Sequence, residues 1–221
     1  MFIELSHRIQ HALPAYPGDS LTELIQHKTL QQHKYNNHRL HINMHAGTHI
    51  DGPMHLKDSE TYLSDYPIDK FIGDGCLLDV RDEQMIRYQK AYEERIQPGQ
   101  IVLLYTGHSE KFGTDDYFTG YPVLSMELAE LFVRKKVKLV GMDTPSPDTY
   151  PFEVHQYLFT HDILLIENLT NLASLKAIDS FEIIAMPLHI LADSSIARVV
   201  ARIRSKTSGG GAMADGAKKH E

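Results

Sequence analysis

The chain has 221 residues, a formal net charge of −7 and a single cysteine, Cys76. This length predicts one large domain, and the lone thiol excludes an internal disulfide framework and fits a reducing cytoplasm. Lys and Arg are scattered, so no basic patch for nucleic acid or an anionic membrane is present, and no apolar run approaches the roughly 18 residues of a membrane span. We therefore expect a soluble cytoplasmic protein without nucleic-acid or membrane partners.

Short apolar runs alternate with helical patterns along the chain. Strands are predicted over residues 2–5, 75–80, 101–105, 138–142, 163–166, 181–186 and 196–203. Helices are predicted over residues 82–96, 125–136, 152–159 and 170–177. Strands that alternate with helices indicate an α/β fold, or a related α+β fold, with a mixed sheet. Residues 1–204 are expected to form the single domain. Residues 205–221 have too little apolar content to pack and predict a disordered tail, either natural or added for expression.

Residues 40–55, LHINMHAGTHIDGPMH, carry three imidazoles and one carboxylate at the spacing H-x3-H-x-D-x3-H. Alternating apolar and polar residues in the first part of this segment predict a strand with one buried face. A fully extended strand would separate the Cα atoms of His45 and His49 by roughly 13 Å, too far for both to reach one ion. Gly47 can adopt a positive φ, so we predict a kink there. His49 and Asp51 share a face without distortion.

The residue types of this segment suit a metal ion. Nitrogen and oxygen donors without a thiolate favour Zn²⁺, with Mn²⁺ or Fe²⁺ next. The alternative is a polar strand face whose histidines only form hydrogen bonds. Further donors are needed for a second ion, and His155 and Glu167 are candidates, one on a predicted helix and one at a strand end. Taken alone, these two residues could equally be a surface histidine and an ordinary carboxylate.

The segment from His45 to His55 matches the H-x-G-T-H-x-D-x-P-x-H motif at every fixed position, and the chain thereby resembles the metal-dependent cyclase family. This family includes bacterial kynurenine formamidases and isatin hydrolases. The resemblance spans roughly residues 2–203. Supporting matches are Glu4-Leu5-Ser6-His7, Pro17-Gly18-Asp19, Thr106-Gly107, Gly141-Met142-Asp143 with Ser146 and Asp148, and His155 with Glu167-Asn168-Leu169.

The resemblance implies a swivelling β/β/α domain that binds two divalent ions per subunit, with Zn²⁺ expected and Mn²⁺ as the alternative. By this resemblance His45, His49 and Asp51 hold one ion, and Asp51 also holds the second together with His155 and Glu167. It makes His55 the proton shuttle, a role suited to an imidazole, whose unperturbed pKa is about 6.5. It also implies a homo-oligomer, a dimer or a tetramer.

The implied activity is hydrolysis of a small non-peptide amide, with N-formylkynurenine as the best substrate guess. Tyr16 lies where kynurenine formamidases commonly carry a tryptophan before Pro-Gly-Asp, and a tyrosine can still stack on a substrate ring. The chain has no tryptophan. The alternatives are an isatin hydrolase or another cyclic amide or lactone hydrolase and, in a different class, a non-catalytic protein that binds a metal or a small ligand.

Overall fold

The computed structural model describes residues 1–204, and the tail predicted for residues 205–221 lies outside them. The strands are β1 Phe2–Glu4, β2 Glu23–Lys28, β3 Asn37–His41, β4 His49–Asp51, β5 Ile72–Asp79, β6 Met85–Ile86, β7 Ile101–Tyr105, β8 Val123–Leu124, β9 Leu139–Met142, β10 Leu164–Glu167, β11 Phe181–Pro187 and β12 Ser194–Ile203. The α-helices are α1 Leu30–His33, α2 Ala91–Arg95, α3 Met126–Arg134 and α4 Glu153–Thr160.

Eight strands form one mixed sheet in the order β1-β12-β11-β5-β7-β9-β10-β4. Neighbours among β5, β7, β9 and β10 pair in parallel, and the other neighbours in the sheet pair antiparallel. The first residues of β12 also pair with β4, with Ser194 opposite Asp51 and Ile196 opposite His49, so the strand order closes on itself. This closure places β4 between β10 and the start of β12. The prediction of an α/β fold with a mixed sheet is confirmed.

Strands β7 and β9, and β10 up to its last residue Glu167, form the core because their sequences are apolar without interruption, as expected for strands covered on both faces. Every residue of β7, β9 and β10 is buried. Helices α3 and α4 pack their apolar faces onto this sheet. Helix α3 begins as predicted from its serine cap, since Ser125 Oγ accepts the N–H of Leu128.

The single strand predicted before Asp51 is wrong, because a turn over residues 42–48 separates β3 from β4. The side chain of Asn43 accepts the N–H of His45 at 2.8 Å, and its carbonyl accepts the N–H of Ala46. Asx side chains favour such turns over strand pairing. The predicted kink is correct, since Gly47 has φ +66°. The predicted burial of one face fails at Leu40, which is 42% exposed on β3.

Two predicted helices are also shorter in the structure. Within residues 82–96 only α2 is α-helical, because Met85 and Ile86 pair instead with β8. Within residues 170–177 the chain forms a 3₁₀ turn at Leu172–Leu175. In both segments buried apolar residues recur at a helix-like spacing, and tertiary contacts override that local signal.

Strands β2 and β3 form a separate hairpin that is largely exposed, including Ile25 at 39% and Leu40 at 42%. Within residues 1–204, no helix is long and apolar enough to cross a bilayer.

Candidate metal centre

The turn at Gly47 orients the first histidines of the motif. The carbonyl oxygen of Gly47 lies 2.8 Å from His49 Nδ1 and accepts a second hydrogen bond, 2.9 Å long, from Asn168 Nδ2. A carbonyl only accepts, so His49 carries its proton on Nδ1 and presents Nε2 as a free donor atom. A side chain at Gly47 would also meet Leu13, since an added Cβ would lie 2.9 Å from Leu13 Cδ2.

The pairing of β4 with β10 brings distant residues to this turn. Glu167, the last residue of β10, lies opposite His49 in the antiparallel register. Helix α4 precedes β10 and carries His155, whose Nε2 is 3.2 Å from Glu167 Oε1. His155 and Glu167, which the sequence alone gave no reason to place together, are therefore neighbours in space.

The five predicted ligands form two overlapping groups. His45, His49 and Asp51 each place one donor atom within 4.8 Å of the others, and so do Asp51, His155 and Glu167. Asp51 Oδ1 lies 3.0 Å from His45 Nδ1 and 3.3 Å from His49 Nε2. Asp51 is thus the one carboxylate common to both groups, as a bridging ligand would be.

Several of these donor atoms are buried without a hydrogen-bond partner among the described residues. They are His49 Nε2, both carboxylate oxygens of Asp51, and Glu167 Oε1. Unsatisfied buried polar atoms are costly, and buried carboxylates especially so. A divalent cation would satisfy these lone pairs together, and an N/O donor set suits Zn²⁺ or Mn²⁺. The residues present therefore fit the predicted metal.

The charges of the site lead to the same conclusion. Burial alone would lower the pKa of His45, but Asp51 and Asp193 raise it to about 9. Burial would raise the pKa of Asp51, but the adjacent imidazoles of His49 and His45 hold it well below its usual range. The centre therefore keeps its carboxylate ionised and holds compensating positive charge on its imidazoles, which bound divalent ions would replace.

Asp148 orients His155 and was not among the predicted site residues. Its Oδ1 lies 2.5 Å from His155 Nδ1, while its Oδ2 accepts the backbone N–H groups of Val154 and His155 at the start of α4. A carboxylate on Nδ1 leaves Nε2 of the imidazole free, the arrangement common around ligating histidines. Burial alone would lower the pKa of His155, but Asp148 and Glu167 raise it to about 9.

His55 belongs to neither of these two groups, but its donor atom lies close to those of His45 and Asp193 in a third group that could hold an ion. It ends a 3₁₀ turn at Pro53–His55, its ring centroid is 4.2 Å from that of His45 and 6.2 Å from that of His155, and its side chain is 31% exposed. An imidazole that is close to the centre but outside the two groups that share Asp51 can transfer protons.

A cavity of about 270 Å³ opens above these groups. His45, His49, His55, His155 and Glu167 line its floor, and Tyr16 lies at its wall. Tyr16 makes an edge-to-face contact with Phe118 at 5.7 Å between ring centroids. The remaining lining residues are Asp19, Leu56, Phe118, Pro145, Ser146, Phe152 and Asn168. One wall is thus aromatic, and no Lys or Arg of residues 1–204 lines the cavity.

Sequence reasoning missed three residues that support the centre. In the sequence, Asp148 and Asn168 stand out only as matches to the family, although Asp148 lies shortly before the helix that carries His155 and Asn168 directly follows Glu167. No sequence feature marks Asp193 as part of the centre, since it lies in a polar loop just before β12. Its Oδ2 is 2.9 Å from His45 Nε2 and 3.5 Å from His55 Nδ1.

Comparison with known proteins finds relatives over most of the chain. The family model "Putative cyclase" matches residues 3–149. The chain is 29% identical to kynurenine formamidase of Bacillus cytotoxicus over 209 residues, 91% of this chain and 97% of that one. It is 27% identical to kynurenine formamidase of Bacillus anthracis over 207 residues, with the same coverage.

Solved structures share the fold. Isatin hydrolase A from Ralstonia solanacearum superposes with a TM-score of 0.81 at 19% identity, covering 92% of each chain. A potential metal-dependent hydrolase with cyclase activity superposes with a TM-score of 0.76 at 21% identity, covering 93% of this chain and 98% of that one. The predicted cyclase-family fold and an enzyme of the hydrolase class are confirmed, and the chain belongs to the cyclase family.

Proposed function

We propose that the protein is a metal-dependent hydrolase of a small non-peptide amide, with N-formylkynurenine as its substrate. One observation carries this proposal: two groups of side chains that could hold a metal ion share Asp51, and their other members line a cavity together with His55, which belongs to neither group. Amide hydrolysis needs an electrophile for the carbonyl oxygen and a group that moves a proton, and this arrangement offers both.

In this proposal His45, His49 and Asp51 hold one ion, and Asp51, His155 and Glu167 hold the other. We propose two Zn²⁺ per subunit, with Mn²⁺ as the alternative, because all donors are nitrogen or oxygen. Bound divalent ions supply Lewis acidity, which polarises a carbonyl oxygen and makes water more acidic.

The chain's own residues perform the remaining steps. His55 accepts a proton from the attacking water and returns it to the leaving nitrogen, so that the amine departs neutral. Its position next to the ring of His45 keeps it within reach of the centre. The apolar side chains of Leu56, Phe118 and Phe152 limit the water that enters with the substrate.

The aromatic wall supports a planar aromatic substrate. Tyr16 and Phe118 contact each other edge to face, so a substrate ring can pack on the exposed face of Tyr16. The relatives named kynurenine formamidase, which align along nearly their whole length, favour N-formylkynurenine. The fold shared with isatin hydrolase A keeps a cyclic amide or a lactone as the alternative substrate.

We also propose that the protein is a cytoplasmic homo-oligomer, a dimer or a tetramer. The β2–β3 hairpin supports oligomerisation, because it is largely exposed and carries an exposed apolar side chain on each face, Leu40 on one and Ile25 on the other, and a second subunit packed on either face would cover one of them. The single cysteine, which is buried, suits a reducing compartment. Analytical ultracentrifugation should find a species of at least two chains, and a strictly monomeric protein would contradict the assembly.

Metal analysis combined with hydrolysis tests the function. Protein purified without added metal should contain one to two equivalents of a divalent ion and should hydrolyse N-formylkynurenine. His55→Ala should keep the metal and lose about 10²–10⁴-fold in kcat, the usual contribution of a general acid or base. The control is His11→Ala, which removes an exposed imidazole outside the site and should leave both properties unchanged.

The outcomes separate the alternatives. Turnover of isatin or a lactone, without turnover of N-formylkynurenine, would assign the alternative substrate. A metal-free protein with no turnover of any of these compounds would indicate the non-catalytic ligand-binding protein. Full activity of His55→Ala would remove His55 from the mechanism.

A further inference from the structure

Asp193 lies at the junction of three elements of the centre. It directly precedes β12, and the pairing of β12 with β4 places it next to Gly52, which follows the ligand Asp51. The N–H of Gly52 donates to the carbonyl oxygen of Asp193 at 3.1 Å. An added Cβ at Gly52 would lie only 3.0 Å from that oxygen, so the close approach depends on glycine. The backbone of Asp193 is therefore attached to the turn that leads to His55.

The carboxylate of Asp193 faces two histidines with different proposed roles. Oδ2 is 2.9 Å from Nε2 of His45, a proposed ligand, and 3.5 Å from Nδ1 of His55, the proposed proton shuttle. The rings of these two histidines are themselves adjacent, with centroids 4.2 Å apart. One oxygen atom thus lies against both rings.

The chemistry of His45 requires a partner of this kind. Its Nδ1 faces Asp51 Oδ1 at 3.0 Å, inside the first ligand group, so Nδ1 must be unprotonated to bind a metal ion. The proton of the neutral ring then lies on Nε2 and needs an acceptor. Ser194 Oγ is also 2.9 Å from Nε2, but a hydroxyl donates as readily as it accepts and does not select a tautomer. A carboxylate only accepts.

We propose that Asp193 is a positioning residue that holds His45 as the Nε2–H tautomer for metal binding and restrains the ring of His55. This inference rests on the proposed function, since it presumes that His45 binds metal. It assigns a role to a residue that neither the motif nor the family comparison identified. Carboxylates that accept the second N–H of a ligating histidine commonly contribute about 10–100-fold to metal affinity.

Zinc affinity tests the tautomer role. Metal-stripped protein is titrated with Zn²⁺ in competition with a chromophoric chelator for the wild type and for Asp193→Ala, Asp193→Asn and Asp69→Ala. Asp193→Ala should weaken binding at the first site by about 10–100-fold. Asp193→Asn should stay within a few-fold of the wild type, because its amide oxygen still accepts from Nε2–H. Asp69→Ala removes an exposed carboxylate outside the site and should change nothing.

A second readout reports the proton directly. Long-range ¹H–¹⁵N spectra of the zinc-loaded wild type should show His45 protonated at Nε2, and this signal should weaken or broaden in Asp193→Ala. At saturating zinc, the same variant should lose about 10-fold in kcat with an unchanged KM, because the restraint on His55 is lost. A role limited to folding would change the thermal midpoint without this pattern.

The outcomes distinguish this inference from the proposed function. Zinc affinity of Asp193→Ala within about twofold of the wild type would overturn the inference and leave the metal site intact. Loss of one zinc equivalent in both Asp193→Ala and Asp193→Asn would also overturn it, since Asp193 would then be a ligand. A wild type that binds no zinc would overturn the proposed function itself.

Discussion

Replacing Gly47 with alanine should destabilise both the fold and the metal centre. Gly47 has φ +66°, and an L-residue in the left-handed region costs about 1–2 kcal/mol. The new methyl group would lie 2.9 Å from Cδ2 of Leu13, which is only 2% exposed and has little room to move. Overpacking of this kind costs about 1–3 kcal/mol more. We therefore expect a total loss of about 2–5 kcal/mol in the free energy of unfolding.

Thermal unfolding measures this loss. For a chain of this size about 1 kcal/mol corresponds to 2–4 °C, so the midpoint should fall by about 4–20 °C. Zinc affinity should fall as well, because the carbonyl of Gly47 accepts from His49 and Asn168 and would shift with the backbone. Gly120→Ala is the matched control: Gly120 has φ +59° and nothing within 4 Å of an added Cβ, so it reports the backbone cost alone.

The difference between the thermal midpoints of Gly47→Ala and Gly120→Ala measures the cost of the contact with Leu13. A midpoint for Gly47→Ala equal to or above that of Gly120→Ala would refute the contact with Leu13 as a source of instability. Unchanged zinc affinity in a destabilised Gly47→Ala would show that the kink supports the fold but does not position His49.

Three further predictions follow from the contacts. Burial lowers the pKa of His7 to about 4, so its neutral form stabilises the fold above pH 6.5 and this contribution is lost as the pH falls from 6.5 to 4. In chemical denaturation, the free energy of unfolding of His7→Gln should therefore change with pH by about 1–2 kcal/mol less than that of the wild type over this range, after allowance for partial exposure. An equal pH dependence in the two proteins would contradict the burial argument. Asp148→Ala removes the acceptor of three N–H groups at the start of α4. This substitution should lower the free energy of unfolding by about 2–3 kcal/mol. It should also lower the zinc affinity of the group that contains His155 by about 10–100-fold in the same chelator titration. Tyr16→Ala should raise KM for N-formylkynurenine by about 2–10-fold with little change in kcat, and a drop in kcat alone would argue against a stacking role.

Local sequence was sufficient for much of the fold. The apolar runs of β7, β9 and β10 and the serine cap of α3 are local signals, because burial on both faces and capping each require particular residue types within a few positions. The turn before β4 was missed because the side chain of Asn43 competes with strand pairing, and β-strand periodicity does not register that competition.

The sequence by itself determined the chemistry of the first ligand group. His45, His49 and Asp51 lie within a few residues of one another in the sequence, and the bend at Gly47 closes the remaining distance between their donor atoms. These are short-range consequences of chain geometry, so they are visible without the rest of the molecule.

Only the tertiary structure decided which distant side chains complete the centre. His155 and Glu167 meet Asp51 because β10 pairs with β4, and Asp193 reaches His45 because the start of β12 pairs with the other edge of the same strand. Strand register is set by the packing of the whole sheet and leaves no mark on the spacing of the residues it brings together. The second ligand group and the carboxylate beside His45 and His55 therefore had to be read from the fold.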